Sequence, residues 1–141
     1  MEALARSFSF ISNESIVKIP FFQRGYVWTK ENWEDLLSEL LNLHKNHFFG
    51  SIILKQQRVS TGEPKEVLVI DGQQRLTTLS IFIKALYDSF SDELKDNTRD
   101  VIRQHLFFKR NRTDKNFNVK IQHSYADANS YNHIIHSGHV S

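Results

Sequence analysis

The residues of this chain best suited to chemistry stand together in one pentapeptide, Asp71-Gly72-Gln73-Gln74-Arg75. It follows the apolar run Val67-Leu68-Val69-Ile70 and precedes a helical pattern beginning at Leu76, so it occupies a strand-to-helix junction. A helix start exposes free backbone N–H groups and the positive end of the helix dipole. Together these can hold an anion, and a nucleotide phosphate is the usual biological one. Asp71 is the one acid in the segment and is the candidate ligand for Mg²⁺, directly or through water. Gln73 and Gln74 carry amides that can orient a water, and Thr77 and Thr78 could reach a phosphate or a bound metal. On spacing alone the plainer reading is favoured: Asp71 and Gly72 form a tight turn with an N-cap, the glutamines cap or face solvent, and the threonines bond to their own backbone. The Gly-x-x-x-x-Gly-Lys spacing of a P-loop is absent, so P-loop mechanics are not expected.

A second segment, Pro20-Phe21-Phe22-Gln23-Arg24-Gly25-Tyr26-Val27-Trp28, is too aromatic for a solvated loop and too rich in Gly and Pro for a plain helix. It is expected to pack on the core while presenting Gln23 and Arg24. Arg24 and Arg75 both lie in apolar surroundings, and a guanidinium taken out of water needs a partner. Either the two converge on a shared anion, gripping phosphate oxygens bidentately, or each pairs with a local carboxylate, Arg75 with Asp71 for example. Phe21, Phe22, Tyr26, Trp28, Phe48 and Phe49 could stack on a base, but a domain of this size needs such aromatics as core anchors. His133, His136 and His139 recur at intervals of three, yet Gly138 is expected to end the helix before His139 and no Cys or carboxylate adjoins them. They are not read as a metal site, and His44 and His47 are read as helix-end residues suited to the negative dipole end.

The elements that must position these residues follow from periodicity. Residues 2 to 12 suit a short helix, and Ser15 to Ile19 a short strand stopped by Pro20. Thr29 is expected to cap, through its hydroxyl, an amphipathic helix running to about His44, with Trp33, Leu36, Leu37, Leu40, Leu41 and Leu43 on its apolar face. Phe48 to Leu54 and Glu66 to Ile70 read as two adjacent strands joined in a hairpin, with Gly62 and Pro64 between them. From Gln73 a helix of nearly five turns carries Leu76, Leu79, Ile83, Leu86, Tyr87 and Phe90 on one face, widened by Ile81 and Phe82. Asp92 to His105 reads as a more polar helix, Asn111 to Asn118 as a charged loop, and Tyr125 to Ile135 as a last helix. A soft boundary falls near residue 91, dividing residues 1–91 from a helical extension, 92–141.

With 141 residues, 40% of them hydrophobic and 24% charged, five Gly and two Pro, the chain has the composition of one globular domain. A formal charge of +2 is too small to indicate nucleic-acid binding by itself. There is no Cys, which excludes a disulfide framework and a thiolate zinc site and suits a reducing compartment. No apolar run approaches the roughly 18 residues of a membrane span, and a cytoplasmic protein is expected.

Taken in order, Ile19 to Trp28, then Phe48-Phe49-Gly50-Ser51-Ile52, then Val69 to Leu79 resemble the N-terminal domain of GmrSD-type, modification-dependent restriction enzymes, over about residues 8 to 90. That resemblance implies an α+β, ParB/sulfiredoxin-like fold: a small mixed sheet with packed helices, in which a Gly-containing turn ending in Arg holds nucleotide phosphates. It implies a nucleotide-binding, NTP-hydrolysing module of bacterial anti-phage defence, with a nucleoside triphosphate and Mg²⁺ as cofactors. Position by position, Gln23 and Arg24 match the family's Gln-Arg pair, Asp71 to Arg75 its Asp-Gly-Gln-Gln-Arg motif, and Phe49 and Gly50 its Phe-x-Gly-like strand start. Asp71, Gln73, Gln74 and Arg75 are thereby the expected catalytic residues, with Gln23, Arg24, Phe49, Gly50, Gly72, Arg75, Thr77 and Thr78 expected around the nucleotide. DNA, modified or not, and a His-Asn-His-type nuclease domain are the implied partners. The nuclease half lies outside this chain and the helical part is short, so a fragment that does not cleave DNA alone is expected. A non-catalytic nucleotide or modified-DNA sensor and a weak ParB-like nuclease are the alternatives.

Overall fold

The computed structural model describes residues 16–20, 25–41, 52–57, 60–63, 65–109 and 113–137. Their elements, in chain order, are β1 (Ile16–Lys18), α1 (Lys30–Leu41), β2 (Ile53–Gln56), β3 (Glu66–Asp71), α2 (Gln73–Asp88), α3 (Asp92–Leu106), β4 (Phe107–Phe108), β5 (Asn118–Val119), β6 (Ile121–Gln122) and α4 (Tyr125–His136). The fold is α+β: a mixed four-stranded sheet in the order β2-β3-β1-β6, and a two-stranded sheet of β4 and β5. β1 runs parallel to both β3 and β6, while β2 and β3 form the antiparallel pair that the sequence suggests. The register between β2 and β3 slips between Ile53 and Leu54, a local bulge.

β3 is built on alternation: Val67 and Val69 are buried, and Ile70 is exposed. Val17 of β1 lies opposite Val67 on one side and Ile121 on the other, so three strands contribute to one apolar layer. Against that layer pack Leu76 and Tyr87 of α2, Leu106 and Phe107 at the end of α3, and Tyr131 and Ile135 of α4. The boundary expected near residue 91 therefore separates segments that share one core and one sheet.

α3 starts where expected, with Ser91 Oγ accepting the Leu94 N–H at 3.3 Å and Asp92 and Glu93 in the first turn, where they complement the dipole. Three expectations need adjustment. Thr29 does not cap α1 through its hydroxyl; instead Asn32 Oδ1 accepts the Thr29 N–H at 2.9 Å, the reciprocal half of a capping box. Only Leu36 of the described α1 face is buried, while Leu41 is 77% exposed, because the sheet is covered chiefly by α2 and α4 rather than by α1. On α2 the buried side is Leu76, Thr77, Thr78, Ser80, Lys84 and Tyr87, and Leu86 is exposed. The hydroxyls and the ammonium are tolerated there because partners meet them: Ser80 Oγ lies 2.7 Å from Tyr131 Oη of α4, and Lys84 Nζ reaches Asp88 at the end of α2 itself and Ser137 after α4. The expected helix at 2–12 and the strand residues 48–51 lie outside the described residues, as do His44, His47, Gly138 and His139.

Candidate functional site

β3 ends at Asp71 and α2 begins at Gln73, so a single residue turns the chain. Gly72 does so with φ 94°, in the left-handed region where a Cβ is strained. Its N–H is taken by Asp71 Oδ1 at 2.9 Å, and Leu76 N–H closes the first helical bond to the Gly72 carbonyl at 3.0 Å. Among the described residues no side chain caps α2, so none of them takes up the N–H groups of its first turn. In front of them is an open cleft of about 300 Å³, lined by Trp28 and by all five residues from Asp71 to Arg75. The pentapeptide is thus a surface around one volume, with Asp71 as the only carboxylate among the described residues of its lining.

The partner of Arg75 is not Asp71. Its Nη1 donates to Glu39 Oε2 of α1 at 3.2 Å, and its guanidinium lies 6.0 Å from the Trp28 ring centroid. Glu39 and Trp28 hold the half-buried side chain at the cleft while engaging one of its nitrogens; a guanidinium has five N–H donors. Both Glu39 and Trp28 come from segments that sequence spacing does not connect to Arg75.

Gln74 turns its amide the other way. Its Oε1 accepts the Val27 N–H at 2.9 Å and its Nε2 donates to the Gly25 carbonyl at 3.0 Å, so the two backbone partners fix which end is which. Gln74 is a clamp between α2 and the Gly25–Trp28 segment, which brings Trp28 to the cleft. Tyr26 fastens the same segment further. Its N–H donates to Asp127 Oδ2 at 2.6 Å, and its hydroxyl meets Thr78 Oγ1 and the Trp33 indole N–H, each at 2.5 Å.

Thr77 and Thr78 lie on the buried side of α2 and do not line the cleft. Thr78 Oγ1 donates to the Gln74 carbonyl at 2.8 Å, and Thr77 Oγ1 is 2.9 Å from His123 Nε2. Gln23, Arg24, Phe49 and Gly50 lie outside the described residues. His133 and His136 are exposed on α4, and among the described residues no group of three His, Cys, Asp or Glu could hold a metal ion. Sequence reading missed Glu39, Asp127 and His123 as neighbours of the motif helix. One signal was available: a tyrosine hydroxyl and an indole N–H in a packed aromatic segment need bonding partners.

The fold and the junction together define a mixed-sheet domain whose central helix opens, uncapped, on a cleft made by its own first turn. The chain belongs to the family of GmrSD restriction endonuclease N-terminal domains, whose model matches residues 7–139. It is also 31% identical to an uncharacterized protein, MJ0686, of Methanocaldococcus jannaschii, in a match that takes in 47% of this chain and 14% of that protein. The chain thus corresponds to a small part of that relative's length. No helix among the described residues is long and apolar enough to cross a membrane.

Proposed function

We propose that this domain binds and hydrolyses a nucleoside triphosphate and that its nucleotide state gates DNA cleavage by a nuclease domain of a modification-dependent restriction system. The observation that carries this reading is the cleft itself, with an uncapped sixteen-residue helix, Arg75 and Asp71 around one volume. Phosphates would lie against the first-turn N–H groups of α2, where the dipole favours negative charge. Arg75, already beside the cleft, would add its remaining donors to the phosphate oxygens. Asp71 fits Mg²⁺ as a single carboxylate, since Mg²⁺ is usually held by one or two carboxylates together with substrate phosphates and waters. That ion would supply neutralisation of developing phosphate charge. Gln74 is committed to Gly25 and Val27, so orienting the attacking water falls to Gln73. By their match to the family motifs, Gln23, Arg24, Phe49 and Gly50 are further nucleotide-binding residues in this reading, which also takes the fold as ParB/sulfiredoxin-like.

The reading is tested with a nucleotide panel in Mg²⁺, following thermal shift and phosphate release together. A ligand that binds only the folded state raises its melting temperature. The expected result is a saturable shift and phosphate release with at least one triphosphate, both lost in Arg75→Ala while the fold persists. A shift without phosphate release would favour a nucleotide sensor, a reading to which the commitment of Gln74 lends weight. No shift with any nucleotide in a folded chain would end both readings.

A further inference from the structure

A second groove, of about 320 Å³, opens between the β5–β6 region and one face of α4, and none of its lining residues belongs to the Asp71 cleft. Ala128, Asn132 and His136 follow one another at intervals of four on α4, so they form a single stripe along it. Ala128 leaves room where a larger side chain would fill the groove. Opposite stand Asn118 of β5 and Gln122 of β6. The groove thus presents three carboxamides, from Asn118, Gln122 and Asn132, and no carboxylate. None of these three amides is bonded to another described residue, in contrast to Gln74, whose amide is held at both ends. Each carries two donor hydrogens and an acceptor oxygen. The ring of Phe117, one of the lining residues, is itself met by two cations from outside the lining: Lys109 Nζ is 4.6 Å and the Arg103 guanidinium 5.1 Å from its centroid.

We propose that this groove binds one nucleotide unit, with an unpaired base among the three carboxamides and its phosphate near exposed Lys109. A nucleobase edge is a planar row of donors and acceptors, which side-chain amides match bidentately. A cationic end with no carboxylate in the lining selects an anionic ligand over a neutral sugar. The volume is at the lower end of the range for small-ligand sites, about 300 to 1,000 Å³, which suits a single unit rather than a dinucleotide. A paired base cannot enter, because its Watson–Crick edge is already engaged and it is stacked within the duplex. The unit can come from a free nucleotide or from a single strand.

The test uses the 141-residue chain and fluorescein-labelled single-stranded DNA of eight nucleotides, read by anisotropy. The comparison ligands are the corresponding duplex, an abasic strand of equal length and the four deoxynucleoside monophosphates. Single-strand binding is expected to fall about tenfold or more in the double variant Asn118→Ala, Asn132→Ala, in line with loss of two or more hydrogen bonds. Lys109→Ala is expected to weaken binding and lower the salt slope by about one counterion. Arg75→Ala, in the other cleft, is expected to leave it unchanged, which separates failure of this site from failure of the nucleotide cleft. Competition by the monophosphates, lost in the same double variant, identifies a free nucleotide as the source; their failure to compete identifies a strand. Equal binding of the abasic strand overturns the proposal, as does unchanged affinity in a double variant whose melting curve shows it folded, or the absence of binding by every probe.

Discussion

At the scale of single residues, His123 shows how far the surroundings of one side chain can move it. Its Nε2 meets Thr77 Oγ1, its ring centroid lies 4.2 Å from that of Tyr131, and its Nδ1 is buried without a hydrogen-bond partner among the described residues. Burial lowers its pKa from 6.5 to about 4, against the weaker upward pull of Asp127 and of the Ile121 carbonyl. The unfolded chain therefore takes up a proton near pH 6.5 that the folded chain refuses until about pH 4. This contribution to stability is complete above pH 6.5 and falls as the pH drops from there toward 4, by up to about 1.4 kcal/mol per pH unit. Urea unfolding of wild type and His123→Gln at pH 7.5, 6 and 5 checks this. The difference between the two proteins is expected to change across that range, with the wild type losing more; a constant difference would show that the imidazole is not desolvated. Nothing around position 123 in the sequence announces this, because its burial comes from α2 and α4 meeting over it. The strand, turn and helix start at Asp71 to Arg75 were legible because they are local, whereas the Arg75 partner, Glu39, is brought in by tertiary packing alone.

At the scale of elements, α2 is the piece that sequence periodicity described best in extent and least well in orientation. Its start at Gln73 and its sixteen residues agree closely with the pattern, yet its buried side carries Thr77, Thr78, Ser80 and Lys84. Apolar counting cannot find such a side, since these polar groups are buried where partners meet them, and His123, Tyr131 and Ser137 come from outside the helix. Lys84 is the extreme case: 1% exposed, it donates to both carboxylate oxygens of half-exposed Asp88, at 2.8 and 2.7 Å, and to Ser137 Oγ beyond α4 at 3.2 Å. The two ends of this ion pair are not equivalent. Asp88→Ala leaves an ammonium buried without its counter-charge, whereas Lys84→Met leaves a carboxylate that water already reaches. Asp88→Ala is expected to destabilise by roughly 1–3 kcal/mol, reduced from the fully buried case by the exposure of Asp88, and Lys84→Met by about 1 kcal/mol or less. Urea midpoints of the two variants decide it. The reverse order would mean that packing of the Lys84 stem, rather than desolvation of its charge, governs this helix. The two-residue strands β4, β5 and β6 were not legible at all, because a run of two residues carries no alternation to read.

At the scale of the whole molecule, those short strands decide what the folding unit is. β6 flanks β1 on the side opposite β3, and the Val17 and Ile19 N–H groups donate to the Lys120 and Gln122 carbonyls at 2.9 and 2.8 Å. Leu106, Phe107, Val119, Ile121, Tyr131 and Ile135 enter the same core as Val17, Val67 and Leu76. The clamp on the cleft also crosses residue 91, since Asp127 holds the Tyr26 N–H and His123 meets Thr77. A chain ended at Ser91 would lose those six apolar side chains, each worth about 1.5–3 kcal/mol when buried, against a total stability of roughly 5–15 kcal/mol for a domain. It would also bare the β1 edge, with its unpaired N–H groups open to association with other chains. The fragment 1–91 is expected to show no cooperative urea transition and to aggregate, and to give no thermal shift with any nucleotide that shifts the full chain. A cooperative transition in that fragment, with the nucleotide response intact, would instead make residues 92–141 an appendage and leave the Asp127 clamp dispensable for the cleft.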